Sequence, residues 1–335
     1  MVVSFVLRAA KDCFIFLLFC LFLFLFLFSE RVTNNSIISN VPPLFLNVHT
    51  IFLSILLEAI PFILLGVFVS AIIQTFVSEK MIQKLIPKNA YLALIPAGLL
   101  GIIFPICECA IIPVARRLIK KGMPAHVGIV FMLSAPIINP VVYASTFFAF
   151  RNLPNIANSR MIIGFICSII IGMIVYRNHN GQTVIKENKL YPPHNQHHEH
   201  VPQNRLLEIL NHASDELFDT GKFLIIGAFM ASLFQALLDR NLLVSIGSNP
   251  IFAPGIMMGF AYVLSICSEA DAFVASSFGS NFTEASLLAF LVFGPMLDVK
   301  NTMMLFAYFK KRFVCFLIAL TIVVVYVVIC LYQLF

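Results

Sequence analysis

Charge is scarce in this sequence. Asp, Glu, Lys and Arg make up 11% of the 335 residues, while 60% are hydrophobic and 35 are Phe. Soluble domains carry about a quarter charged residues, so this composition excludes an ordinary water-soluble fold and points to a polytopic membrane protein. Short segments of alternating polarity are missing as well, which argues against a barrel and leaves helices, whose backbone groups pair internally in lipid. There is no Walker A sequence, GxSxG, HExxH or Rossmann fingerprint, and "HHEHVP" lacks zinc-protease spacing. The expectation is therefore no enzyme and no cofactor, with transport energy drawn from an ion gradient or a partner protein. The formal charge of +6 is small and spread over loops, so it informs topology and excludes nucleic acid as a partner. Cys13, Cys20, Cys167, Cys315 and Cys330 lie in apolar runs as small hydrophobes, and no disulfide framework is implied.

What is present is a succession of apolar segments. The run "CFIFLLFCLFLFLFLF" (13–28) follows Arg8 and Lys11 without a small-residue cleavage site, and reads as an uncleaved anchor helix. Eight further segments are expected at 47–77, 90–113, 125–150, 160–176, 221–238, 252–278, 284–308 and 313–334, at about 20 residues per span. "PFILLGVFVSAIIQ" (61–74) aligns without a gap on "KFLIIGAFMASLFQ" (222–235), pairing Gly66 with Gly227, Gln74 with Gln235 and, in the same register, Glu58 with Asp219. "PICE" then meets "SICSE", and "APIIN" meets "GPMLD", in the same order. The chain is read as a duplication. Residues 1–45 form the anchor helix and loop, 46–176 repeat 1, 177–216 a polar His-rich linker and 217–335 repeat 2.

Lysines 80, 84 and 88 precede the 90–113 segment, and Arg116, Arg117, Lys120 and Lys121 follow it. A re-entrant hairpin broken at "FPICECAIIP" keeps both clusters in the cytoplasm, and Pro105 and Pro113 supply the interruption. If 252–278 is broken likewise, the repeats are inverted. Eight simple spans, giving parallel repeats, are the other arrangement.

Several residues are candidates for chemistry. Glu58 lies in an apolar span, where an ionised carboxylate must face protein, a cation or water. Cys107 and Cys109 flank Glu108, and a regular helix turns the two thiols about 200° apart, so an unwound backbone is needed for both to reach one ligand. Thiolates select soft or borderline metals, and Cys267 supplies a third. "SICSEADAFVASSFGS" clusters Glu269, Asp271 and several serines in an apolar segment, as a polar cavity lining would. "SAPIINP" and "GPMLDVKN" interrupt their helices at corresponding places, with Asn139 and Asp298 at the breaks. His194, His197, His198 and His200 form a linker tract that can hold Zn²⁺, although the spacing fits no defined zinc motif.

The stretches "EAIPFILLG", "CECAIIPVARRLIKKGMPAHVGIVFMLSAPIINPVV", "SICSEADAFVASSF" and "FGPMLDVKN" resemble the YraQ/YcgR-type predicted permeases, a family similar to the ArsP-type permeases that export trivalent organoarsenicals. The resemblance covers the chain from about residue 45 onward. It implies a multi-pass permease of the bacterial inner membrane, working with a second membrane-associated subunit. It also implies a soft-ligand role for Cys107 and Cys109. Glu108 stands where relatives often have a small residue.

The leading expectation is an all-α permease moving a small solute or a soft-metal or metalloid species through a midplane site. Cys107, Cys109 and Cys267 would bind it, Glu58, Glu108, Glu269 and Asp298 would handle charge, and Asn139 would stand at a break. A zinc-type transporter, a non-transporting membrane subunit and a membrane thiol oxidoreductase are the alternatives.

Overall fold

A computed structural model describes residues 43–76, 87, 89–103, 107–153, 155–179, 183–186, 205–237, 252–279 and 282–334. The expected anchor helix, the four linker histidines and residues 104–106 lie outside the described residues. The chain divides into two units, Met1–His49 and Thr50–Phe335. Only the opening turns of the first long helix are described in the former, and all that follows concerns the latter.

The described residues form twelve helices and no strand beyond one isolated bridge: α1 (Pro43–Phe76), α2 (Leu94–Ile103), α3 (Glu108–Lys120), α4 (Ala125–Ser134), α5 (Pro140–Ala149), α6 (Asn155–His179), α7 (Arg205–Leu237), α8 (Phe252–Leu264), α9 (Ala270–Ser276), α10 (Glu284–Met296), α11 (Val299–Tyr308) and α12 (Lys311–Gln333). Among the described residues, five stretches are long and apolar enough to cross a membrane: Leu44–Ile72, Asn155–His179, Thr220–Leu237, Glu284–Tyr308 and Lys311–Gln333. The protein is an all-α polytopic membrane protein. Two boundaries differ from the sequence reading. Residues 155–159 (NIANS), outside the expected segment, are the first turns of α6, and α7 starts at Arg205, inside the stretch read as linker. Polar residues at the ends of spans are helical here because helix continues beyond the apolar part.

One order of elements occurs twice. A long helix is followed by two pairs of short helices, the second pair in each half meeting at a break, and then by a second long helix. The breaks have local causes. At 135–139, Pro136 has no N–H to donate. The amides of Ile137 and Ile138 both turn to the Ser134 carbonyl, at 2.9 and 2.8 Å. Asn139 is extended (φ −124°, ψ 129°), and its Oδ1 accepts from Val141 N at 2.9 Å, with Pro140 starting α5. At 297–298 the backbone is again extended, and Asp298 Oδ1 accepts from Asn301 N at 2.6 Å to start α11. The expected interruptions at Asn139 and Asp298 are therefore helix starts capped by those side chains.

The long helices α6 and α12 lie side by side and run in opposite directions. His179 at the end of α6 meets Phe316 in the first turns of α12 (4.8 Å between rings), and Ser159 Oγ lies 3.2 Å from Tyr332 OH at the other end. Tyr91, just before α2, packs on Tyr176 near the end of α6, and the same ring meets His126 in the first turn of α4. The chain leaving α3 turns through Gly122 (φ 96°) directly into α4. Both outer ends of the α2–α3 pair thus lie beside the C-terminal end of α6. The α8–α9 pair opens the other way. Gly255 near the start of α8 faces the Tyr326 ring in the second half of α12, and Phe278 after α9 packs on Phe260 of α8.

Lipid and protein interior are equally apolar, so helix association relies on close packing and small residues rather than on hydrophobic contrast. α1, α6, α7 and α12 expose large apolar side chains such as Leu64, Ile162, Ile225 and Val323, whereas α10 is buried from Ala285 to Met296. Gly66 of α1 lies directly against the first turn of α3, where an added Cβ would stand 2.2 Å from the Ala110 Cβ. Its aligned counterpart Gly227 approaches the Lys300 Cα of α11, to 3.0 Å from an added Cβ. Each glycine admits a long helix to the turn that carries a buried charge. Gly66→Ala is expected to lower stability in detergent by about 1–3 kcal/mol through overpacking. Gly221→Ala, with nothing within 4 Å of its added Cβ, should not lower it. Paired thermal unfolding curves check this.

Candidate functional site

The first turns of α3 and α11 and the break between α8 and α9 converge on a buried ionic cluster. Glu108, Asp298 and Lys300 are each at most 1% exposed. Cys107 (φ −70°, ψ 164°) is extended and precedes Glu108, the first residue of α3. Asp298 caps α11, and Lys300 is the second residue of that helix. The Lys300 ammonium lies 3.3 Å from Glu108 Oε1 and 3.2 Å from Asp298 Oδ2, and donates a hydrogen bond to the Ile266 carbonyl. Asp298 Oδ2 has no hydrogen bond of its own and is held by the ion pair alone. Ser268 Oγ approaches Glu108 Oε2 at 3.5 Å.

A second layer fixes the α8–α9 break. Asp271, fully buried, accepts from Ser265 Oγ at 2.6 Å and from Ile266 N at 3.0 Å. Gly294 of α10 makes room for this pair, since a Cβ there would meet Asp271 Oδ2 at 3.1 Å and Ser265 Oγ at 3.2 Å. Arg160 of α6 is 0% exposed and spends its guanidinium on three acceptors: the Leu291 carbonyl (3.1 Å), Thr146 Oγ1 (2.6 Å) and the Ser268 carbonyl (2.8 Å). It thereby ties α5, α6, α10 and the α8–α9 break into one unit. Charges at this depth are costly unless paired and hydrogen-bonded, and here three carboxylates (Glu108, Asp271, Asp298) stand against two cations (Arg160, Lys300).

The remaining candidates are distributed around this cluster. Cys109 is buried and within electrostatic range of Lys300. Cys107, also buried, lies in range of Glu269. Cys267 accepts from Ala270 N through its sulfur at 3.4 Å, and its thiol is within hydrogen-bonding reach of Glu58 on α1. Glu58 and Glu269 are half-buried. Cys107, Cys109 and Cys267 are all free thiols. Among the described residues no three His, Cys, Asp or Glu side chains form a metal-ligand set. Asn139 is buried, with its side-chain oxygen used in capping α5.

Residues 44–334 match the model of the ArsP_1 family, described as "Predicted permease". The chain belongs to this permease family. It is 50% identical over 285 residues to the UPF0718 protein YcgR of Bacillus subtilis, covering 84% of this chain and 95% of that protein. It is 40% identical over 284 residues to a Streptococcus mutans protein named "Putative two-component membrane permease complex subunit", covering 83% and 92%. No solved structure is significantly similar to it.

In this permease Lys300 and Arg160 are members of the buried cluster that sequence reasoning missed, and Asp271 was read only as part of a polar lining. Lys300 had a usable signal: it follows Asp298 by two residues inside an apolar segment, and an intramembrane acid needs a basic partner. Arg160 stands at the first position of the expected 160–176 segment, whereas the helix starts a turn earlier and carries it inward. Arg160→Met strands the Leu291 and Ser268 carbonyls and leaves the carboxylates with one cation. It should cost about 3–5 kcal/mol, while Arg177→Met, at the exposed end of the same helix, should stay within about 0.5 kcal/mol. Thermal unfolding of the purified variants checks this.

Proposed function

We propose that the chain is a permease of the bacterial inner membrane that moves a small solute, or a soft-metal or metalloid species, through the junction of its broken helices. The observation that carries this reading is the buried Glu108–Lys300–Asp298 cluster, formed where helices are interrupted in the core of an apolar bundle. Broken helices that bring charged groups and freed carbonyls together at mid-depth are how secondary transporters build binding sites. The thiols of Cys107, Cys109 and Cys267 are the soft donors beside it, and Glu58, Glu108, Glu269 and Asp298 handle charge. Transport, rather than catalysis, is the function.

The two halves, 46–176 and 217–335, are read as inverted repeats. The recurring order of helices supports this, as do the opposite directions of α6 and α12 and the opening of the α2–α3 and α8–α9 hairpins toward opposite ends. Packing between the halves follows the same symmetry, with α5 against α9 and α11 against α3. A second membrane-associated subunit is the proposed partner, in keeping with the name of the Streptococcus mutans relative.

The test is the cellular content of arsenic, zinc and other metals, measured by mass spectrometry. The challenged cells carry wild-type protein, the Cys107→Ser/Cys109→Ser variant, or neither, with the partner subunit present. The expected outcome is a change in one element in the wild-type strain alone, which names the solute and its direction. Identical contents in all three strains would remove the soft-metal reading for the species tested.

A further inference from the structure

We propose that the Lys300 ammonium is a tethered cation filling a monovalent-cation site made by Glu108 Oε1, Asp298 Oδ2 and the Ile266 carbonyl oxygen. The three oxygens come from three separate places in the fold: the first turn of α3, the cap of α11, and the break after α8. A fixed surface salt bridge needs one carboxylate. This site offers two carboxylates and a carbonyl released by a helix break, and carbonyls freed in this way coordinate cations in transporters with interrupted helices. Asp298 Oδ2 is fully buried, has no hydrogen bond, and is directed at the ammonium.

The position of the lysine adds a second argument. Lys300 stands in the first turn of α11, where the helix dipole disfavours positive charge. Its placement is explained by the oxygens gathered around its head, and not by the helix that carries it. The neighbouring charged and titratable groups are Glu108 and Cys109 from α3, Asp298 from its own helix and Asp271 from α9. Together they hold a cation in place whichever species supplies it. A permease with this residue needs no free sodium ion at the junction.

The proposal rests on the permease reading for its meaning, but its test is made without solute and without transport. A null result for metal content and a failure here are therefore distinguishable. Thermal unfolding of the purified full chain is compared in sodium chloride, potassium chloride and choline chloride at equal ionic strength. Wild-type protein is expected to unfold at the same temperature in all three. Lys300→Ala opens the site, and its unfolding temperature should rise by a few degrees, on the order of 2–5 °C, in an alkali chloride relative to choline. Lys300→Ala/Glu108→Gln, with one carboxylate neutralised, should lose that response. The proposal is overturned if wild-type protein shows the alkali-cation shift, or if Lys300→Ala shows none. It is equally overturned if Lys300→Ala fails to fold in every chloride while the double variant folds.

Discussion

The structure depends on one constraint, which is that charge buried in an apolar bundle must be matched where it stands. Glu108, Asp298 and Lys300 satisfy one another across α3 and α11, and Arg160 and Asp271 immobilise the backbone that lends the Ile266 carbonyl. These groups come from α3, α6, α9, α11 and the break after α8, so the cluster can form only when both halves of the chain are in place. The close approaches at Gly66, Gly227 and Gly294 serve the same end, because each lets an element reach the turn that carries a charge or its partner. Small residues at these contacts substitute for the hydrophobic driving force that lipid removes.

At the end of the molecule where α3 and α11 finish, a second set of contacts joins the same helices. The Tyr308 ring lies under the Arg116 guanidinium at 4.4 Å, and its hydroxyl is 2.7 Å from Thr220 Oγ1 of α7. Residues 183–186 run antiparallel to the corner between α11 and α12, with Lys186 N bonded to the Tyr308 carbonyl and Lys310 N to the Val184 carbonyl. The α3 and α11 helices are thus held at both ends, by ion pairs in the interior and by an aromatic and backbone clasp outside.

Much of this architecture was legible in the sequence. Apolar length located the spans, and Pro136, Pro140 and Pro295 marked the interruptions, since proline cannot continue a backbone ladder. Asn139 and Asp298 were visible as polar residues beside those prolines, and their capping role follows from residue type. The pairing of Glu108 with Lys300 was not legible, because the two are 192 positions apart and no local pattern links them. The role of Arg160 was hidden for a different reason. A basic residue near the end of an apolar segment reads as interfacial, and only the true start of α6 shows it to be inside. The cysteines were prominent in the sequence, yet the folded chain surrounds them with carboxylates and one ammonium rather than gathering the three into a ligand set.

The proposal that solute passes through the junction of the broken helices is tested most directly by thiol labelling in reconstituted vesicles. Variants keep Cys107 or Cys167 as the single cysteine and are exposed to a membrane-impermeant methanethiosulfonate on one side at a time. Further single cysteines are placed at Lys120, Lys310 and Asn152. The account predicts that Cys107 reacts from both sides, that Cys167, buried in α6, reacts from neither, and that the Lys120 and Lys310 positions share a face opposite Asn152. Labelling of Cys107 from one side only or from neither, or Lys120 and Lys310 on opposite faces, would contradict it.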